Sequence, residues 1–473
     1  MTLPSSAILD LRGLLGDANV LLSSRDTEKY ERGYRYGSGH ALAIARPGTT
    51  DELVSVVRYC FRNNIKLVSQ GANTGLVAAS TPDSSSDQLL LSLERMRCIE
   101  AIDVHNRTAR VCAGVRLSEL NREASADKLF FPIDVGADPS LGGMIATNTG
   151  GARLLRYGDV QRNLLGLEVV LADADGTVLS DLKGLRKDNS GIDLKQLFVG
   201  TGGTFGVISR AQVELHPIPR QTSTAFVVPE NHAVVPQLLT QLEVQAGEFL
   251  AAFEGISRNA LEAALQHNPR LRNPFGSDVL PEYTVLVELT SSMRSEQVDL
   301  AELLPALLNH AMEATPALIV DARFGRPEDF WAIRHSISDA VSAAGSVIAF
   351  DIAVPRSRLP ALRSDLIALL HDQYPFLRVC DFGHCGDGGD HFNLVWPRYA
   401  APTYDPVVVN QVRALVYDCV IGKNGGSFSA EHGVGPFNQT FYRKYVSAAE
   451  RSVASRLKRL FDPKALLGNV DFS

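Results

Sequence analysis

The sequence predicts an α+β protein of two or three domains. Three observations predict it. The first half alternates short apolar strands with amphipathic helices, the middle interleaves strands and helices more regularly, and Pro217 and Pro219 separate the two near residue 220. At 473 residues, with 45% hydrophobic and 21% charged side chains, the chain can build that many cores.

The elements follow in order. Asp51 to Asn64 carries Leu53, Val56, Val57, Cys60 and Phe61 at helical spacing, with Asp51 in the first turn where an acid suits the helix dipole. Ile65 to Ser69 reads as a strand, followed by a turn from Gln70 to Leu76. Gln88 to Leu93, Thr108 to Ala113 and Leu164 to Ala172 read as further strands, the last turned back at Asp175-Gly176. The middle section predicts helices near 233–247, 257–267, 296–313, 327–343 and 357–372. Strands fall between them at 249–254, 283–290, 317–321, 346–353 and 376–382. This interleaving predicts a sheet covered on one face. A last helix spans Ala448 to Phe461 and is stopped by Pro463.

Composition narrows the function classes. A net charge of -7 gives a nucleic-acid role no electrostatic support. No apolar run reaches the ~18 residues of a membrane-spanning helix. Met1 to Val20 lacks a basic start followed by an apolar stretch. The 6 cysteines are scattered, with no C-x-x-C pair. Reduced thiols and a cytoplasmic location are the expectation.

Chemistry concentrates in Gly383-His384-Cys385-Gly386-Asp387-Gly388-Gly389-Asp390-His391-Phe392-Asn393 and in Ser429-Ala430-Glu431-His432-Gly433. Neutral imidazole and carboxylate are ligands for Zn²⁺, Mn²⁺ or Fe²⁺. On one straight strand His384 and His391 would stand roughly 23 Å apart on opposite faces. They can share a metal only if the chain reverses, which Gly386, Gly388 and Gly389 permit. Gly433 and Gly435 allow a bend that aims Glu431 and His432 at one place. Cys385 is a weaker ligand candidate, because its side chain should point away from its neighbour's. Ordinary loop histidines are the bland alternative, but so dense a set in a chain with 11 histidines disfavours it.

Three further glycine-rich segments lie in the first half: Gln70–Leu76, Leu141–Gly151 and Gly200–Gly206. None is a G-x-G-x-x-G turn placed after the first strand, and no G-x-x-x-x-G-K-[ST] occurs. Glycines let successive amides approach an anion, so a diphosphate lying across several such loops is the favoured reading over three unliganded turns.

These segments, together with Phe131-Pro132-Ile133-Asp134-Val135-Gly136, resemble the FAD domain of the vanillyl-alcohol oxidase type. The runs Ala152–Gly158, Asn163–Asp173 and Leu185–Phe198 and the two histidine segments narrow the likeness. In combination they resemble the FAD- and metal-dependent D-2-hydroxyacid dehydrogenases over residues 30–470.

The resemblance implies an FAD-binding domain over 1–220 and an α+β cap, or substrate, domain over 221–424. A C-terminal segment, 425–473, would complete the FAD domain and active site. Ser69, Gly71, Ala72, Asn73, Thr74, Gly75 and Leu76 would wrap the diphosphate. Pro132, Asp134, Gly136, Leu141, Gly142, Gly143, Thr147, Asn148, Gly150, Gly151 and Tyr157 would run along the flavin and its linker. Gly203, Gly206 and Ile208 would line the adenine, and Asn469 the flavin. No His or Cys lies in 69–76, so FAD is expected to be non-covalent.

The metal ligands implied are His384, His391 and Glu431, with Zn²⁺ first and Mn²⁺ or Fe²⁺ as alternatives. Arg334, Ser338, Asn393 and His432 would bind substrate. Arg334 and Ser338 share a helix face, and His391 and Asn393 a strand face. The implied reaction oxidises a D-2-hydroxy acid: His432 takes the hydroxyl proton, the α-hydrogen passes to flavin N5, and a 2-oxo acid leaves. An electron-transfer flavoprotein or a quinone would accept the electrons. A homodimer fits the class without a sequence signature.

Departures from the family's pattern matter. Ala349 stands where glutarate-handling members have lysine, which favours lactate, 2-hydroxybutyrate or mandelate and leaves 2-hydroxyglutarate and malate open. Gly388-Gly389-Asp390 differs from the family's usual Gly-Asn-Leu, and Met144 and Gly202 stand where asparagine and glutamate are common; none of the three is expected to abolish FAD or metal binding. The competing classes are a metal-dependent hydrolase or lyase built on the His/His/Glu set and a non-catalytic nucleotide-binding protein.

Overall fold

Thr49 caps the helix Thr50–Asn63: its side chain accepts from the Glu52 N–H, and Asn64, at φ 53°, ends the helix in the left-handed region. Leu53, Val56, Val57 and Cys60 are its buried stripe. The computed structural model describes residues 5–22, 27–276, 278–398 and 402–473. They divide into two units. One comprises the chain to Gly150, Asp159–Ile218 and Glu431–Ser473; the other comprises Gly151–Gly158 and Pro219–Ala430.

The first unit has two main sheets. Strands β1 (Val20–Leu21), β2 (Ala43–Ala45), β3 (Lys66–Gln70) and β4 (Gln88–Ser92) form one in the order β1-β2-β4-β3, with β2 and β3 parallel to β4. Strands β5 (Ile99–Asp103), β6 (Thr108–Cys112), β8 (Leu164–Val170), β9 (Val178–Asp181) and β10 (Val207–Glu214) form an antiparallel sheet in the order β5-β6-β10-β8-β9. A short ribbon pairs β7 (Leu129–Phe130) with β11 (His216–Pro217). One core joins the layers through Val56, Leu67, Leu89, Val111, Ile145, Val169 and Val213. The chain's end belongs here. Leu67 N–H donates to Leu466 at 2.7 Å and Gly468 N–H to Leu67 at 2.7 Å, so residues 466–468 run beside β3.

Glu168 of β8 is a buried carboxylate within this unit. It accepts from Arg210 Nε (2.7 Å) and Nη2 (2.5 Å), Ser209 (2.8 Å), Thr50 (2.9 Å) and Ser180 (3.0 Å). Burial by itself raises its pKa, but the bonds from Arg210, Ser209 and Thr50 outweigh burial and lower it. Its stabilisation is therefore present above the ordinary 4.5 and lost as pH falls through the lower folded value. Arg210→Met leaves this carboxylate without its cation, and urea unfolding at pH 7 should show a loss of about 3–5 kcal/mol. The loss should shrink on acidification, and a loss independent of pH would exclude the charge as its cause.

The second unit is built on one sheet of strands β12 (Gln221–Pro229), β13 (Leu250–Ser257), β14 (Tyr283–Ser291), β15 (Ile319–Gly325), β16 (Gly345–Ile348), β17 (Asp351–Ala353), β18 (Arg378–Gly383) and β19 (Gly389–Pro397). Their order is β15-β12-β14-β13-β18-β19-β16, with β17 also on β19. The expectation of a sheet covered on one face is corrected here: β13 and β14 are buried at every position. Helices Arg258–His267 and Pro327–Ala344 pack on Phe226, Ile256, Leu286 and Phe382. Helices Val235–Ala246 and Leu300–Glu313 also pack on β12 and β13, and the alternate side chains Val227, Phe253, Val285 and Val287 are fully buried too.

The strand expected over 346–353 is two strands, β16 and β17, interrupted at Ala349-Phe350. β19, which carries His391, had no predicted strand of its own.

Candidate active site

In the second unit β18 and β19 form an antiparallel hairpin with Phe382 opposite His391 and Cys380 opposite Asn393. The chain reverses through Gly383, at φ 130°, and Gly388, at φ 93°, values an L side chain rarely adopts. This reversal brings the His384 and His391 rings to a centroid separation of 5.1 Å. His384 Nδ1 lies 2.9 Å from Glu254 Oε1, and His391 Nδ1 lies 3.9 Å from Asp351 Oδ1.

Asp351 is placed by the β16–β17 interruption and pairs directly with His391 across β17 and β19. It also holds the second histidine segment. Its Oδ2 accepts from Ala430 N–H at 3.0 Å and Ser429 Oγ at 3.4 Å, while Ser427 and Ala353 exchange backbone bonds. Glu431 is the next residue in the chain, and Gly433, at φ 78°, bends the segment beyond His432. Within this unit Asp351 and His391 put a carboxylate and an imidazole side by side, and Glu431 and His432 follow Ala430 along the chain. Nitrogen and oxygen donors of this kind suit Zn²⁺, Mn²⁺ or Fe²⁺.

Asn393 shares the His391 face of β19, and its Nδ2 donates to the His391 carbonyl at 3.2 Å. Arg334 lies over the Phe382 ring at 4.9 Å and donates through Nε (2.8 Å) to Glu254 Oε2, with Nη2 2.7 Å from the same oxygen. Ser338, one turn on, is exposed. Cys385 is buried with its thiol donating to the Phe253 carbonyl at 3.4 Å, and burial pushes its pKa well up. Such a thiol stays protonated and makes a poor ligand. Asp390, on the opposite face from His391, is buried near the Arg363–Asp381 pair (2.6 Å). Burial, and then the charge of Asp381, push its carboxyl well above the usual carboxylate range.

Two residues of this site escaped the sequence reading. Glu254 is the only ionisable side chain in Leu250–Ser257, and a lone acid in an apolar strand was a usable signal. Burial raises its pKa, but His384 and Arg334 outweigh this and bring it down to about 2. Asp351 gave no signal beyond its type, because the chain break that aims it is a tertiary feature.

The first unit gathers the three glycine segments. Ser140 caps the helix Leu141–Thr147, its Oγ accepting from Gly143 N–H at 3.3 Å, and a methyl group on Gly71 would collide with that oxygen. A methyl group on Gly203 would lie 2.5 Å from Ser69 Oγ. Gly200 and Gly202 N–H donate to Ile145 (3.1 Å) and Ala146 (2.8 Å). The loops carrying Ser69 to Leu76, Leu141 to Asn148 and Gly200 to Gly206 therefore lie together, and backbone amides in such turns are suited to a diphosphate.

Asn73 Nδ2 donates to Arg32 O at 2.8 Å, which fixes the first loop. Asn469 Nδ2 bonds the Thr81 carbonyl, and its Oδ1 accepts from Gln88 at 2.5 Å. Pro132 is buried, Asp134 half-buried and Gly136 exposed, with open space around Gly136. Gly206 and Ile208 pack tightly on β8. Gly150 ends the first unit's opening stretch, whereas Gly151 and Tyr157 belong to the second unit.

Two domain families match the chain. Residues 41–181 match the FAD binding domain family, and residues 218–470 match the family of FAD linked oxidases, C-terminal domain. The mitochondrial D-2-hydroxyglutarate dehydrogenase of Arabidopsis thaliana is 31% identical over 479 residues, covering 98% of this chain and 81% of that protein. The chain belongs to the FAD-linked oxidases and, within them, to the FAD-dependent D-2-hydroxyacid dehydrogenases. A D-2-hydroxyglutarate–pyruvate transhydrogenase of Saccharomyces cerevisiae is 29% identical, over 98% of this chain and 94% of that one. The fold of this dehydrogenase family member is that of p-cresol methylhydroxylase, with a TM-score of 0.73 at 17% identity over 97% of this chain and 94% of the other.

Proposed function

We propose that this chain oxidises a D-2-hydroxy acid with a small or apolar side chain, such as lactate, 2-hydroxybutyrate or mandelate, to its 2-oxo acid. The observation that carries the reading is the hairpin that brings His384 and His391 edge to face beside Asp351, with Glu431 and His432 next along the chain from Asp351's partner Ala430. FAD held non-covalently by the three glycine loops, and a divalent ion held by His384, His391 and Glu431, would supply the hydride acceptor and the Lewis acid.

The chain's own residues do the rest. Arg334 offers its remaining N–H groups to the substrate carboxylate, and Asn393 adds a donor on the His391 face. His432 takes the proton from the 2-hydroxyl oxygen at its imidazole nitrogen. Ala349 puts a methyl group at the β16–β17 interruption, and Phe350 beside it is buried, so neither supplies a cation for a distal carboxylate. Both matching domain families are flavin-linked, and no observation favours hydrolysis or lyase chemistry. The electrons leave to an acceptor such as an electron-transfer flavoprotein or a quinone.

A dye-linked assay of D- and L-lactate, malate, 2-hydroxyglutarate and mandelate tests this. The D-enantiomers of lactate or mandelate should show the highest kcat/KM. A preference for D-2-hydroxyglutarate overturns the side-chain assignment, and a preference for L-acids overturns the stereochemistry.

A further inference from the structure

Glu254 is 1% exposed, at the centre of the sheet, and divides its two oxygens between two functional side chains. Oε1 meets His384 Nδ1 at 2.9 Å. Oε2 accepts from Arg334 Nε (2.8 Å) and lies 2.7 Å from its Nη2. Three elements converge on one carboxylate: β13, the helix Pro327–Ala344 and the β18–β19 turn. The Arg334 guanidinium is further fixed over Phe382, which sits opposite His391 in the hairpin.

We propose that Glu254 is a positioning residue shared by the metal-binding and substrate-binding halves of the site. It keeps the proton of His384 on Nδ1 and leaves the Nε2 lone pair for a divalent cation, and it orients Arg334 for the substrate carboxylate. This rests on the proposed function above. The chemistry is general: a histidine ligand is oriented, and its tautomer chosen, by the acceptor on its other nitrogen. Arg334 is constrained by the same contact. With Nε and Nη2 already engaged on one oxygen, its free edge faces one way, and its charge is balanced within the pair. The arginine then recognises a carboxylate by direction more than by net charge.

The test uses the FAD-loaded protein, demetallated and titrated with Zn²⁺ against a competing chelator. Glu254→Gln should weaken Zn²⁺ affinity by roughly 10–100-fold while the flavin-to-protein ratio and absorbance spectrum hold. At saturating Zn²⁺ it should raise KM for the D-2-hydroxy acid more than it lowers kcat. Glu254→Asp, which keeps the charge on a shorter arm, should recover part of both losses. Wild-type Zn²⁺ affinity and KM in Glu254→Gln, whatever its melting temperature, overturn the proposal. If Glu254→Gln does not fold, Glu254→Asp decides, and an unchanged affinity there overturns it equally. A wild-type holoenzyme that takes up no divalent ion brings down the metal reading itself. That result is distinct from one in which wild type and variant bind alike.

Discussion

Changing His432 to asparagine should lower turnover by about 10²–10⁴-fold, the usual worth of a general base, and leave bound flavin in place. The imidazole is half-buried, with Nε2 3.8 Å from the carboxylate of Glu431, beside it in the chain. Asparagine keeps a hydrogen-bonding group of similar reach but cannot accept a proton, so orientation survives and proton removal does not. The Gly433 bend is set by the backbone, so the substitution leaves the segment's course intact. Steady-state rates alongside the ratio of flavin to protein absorbance check this. Turnover close to that of the parent chain would place the base elsewhere.

On the proposed function, stripping the divalent ion with a chelator should abolish turnover and leave the protein yellow. Lewis-acid activation of a hydroxyl contributes several kcal/mol, so about 10³-fold or more in rate should disappear. The flavin should stay because its glycine loops contain none of His384, His391, Asp351 or Glu431. Added Zn²⁺ or Mn²⁺ should restore the rate, and His391→Ala should reproduce the loss without being rescued. Activity that persists after metal analysis shows complete removal would eliminate the ligand assignment, whatever the substrate. Loss of colour on chelation would show instead that the ion supports flavin binding.

The sequence was most informative where local physics decides. The helix Thr50–Asn63 was legible from its apolar spacing and first-turn acids, and Ala448–Phe461 from its stripe and the proline beyond. The reversal between His384 and His391 followed from the distance two residues on a straight strand would keep. The glycine segments declared themselves as turns, although their meeting around Ser69 and Ser140 did not follow from any one of them. Three features escaped. β13 and β14 are covered on both faces because helices far apart in sequence pack on them, and alternation within one strand does not report that. Residues 346–353 looked like one strand because their apolar content is continuous, whereas the break at Ala349-Phe350 depends on pairing with β19. Arg334 was legible as a carboxylate-binding arginine on a helix face, but its engagement with Glu254 depends on a strand some eighty residues earlier.

What the sequence determined alone is the chemistry on offer: imidazoles, carboxylates and glycine turns, and through them a family. Residue type and short-range spacing are enough for that, since a ligand's donor atom and a glycine's reach are properties of the residue itself. Which carboxylate accompanies which histidine was decided only in the folded chain. Asp351 reaches His391, and Glu254 reaches His384 and Arg334, because strand register and chain breaks bring distant segments within hydrogen-bonding range. Such encounters depend on long-range pairing, which no local window of sequence contains.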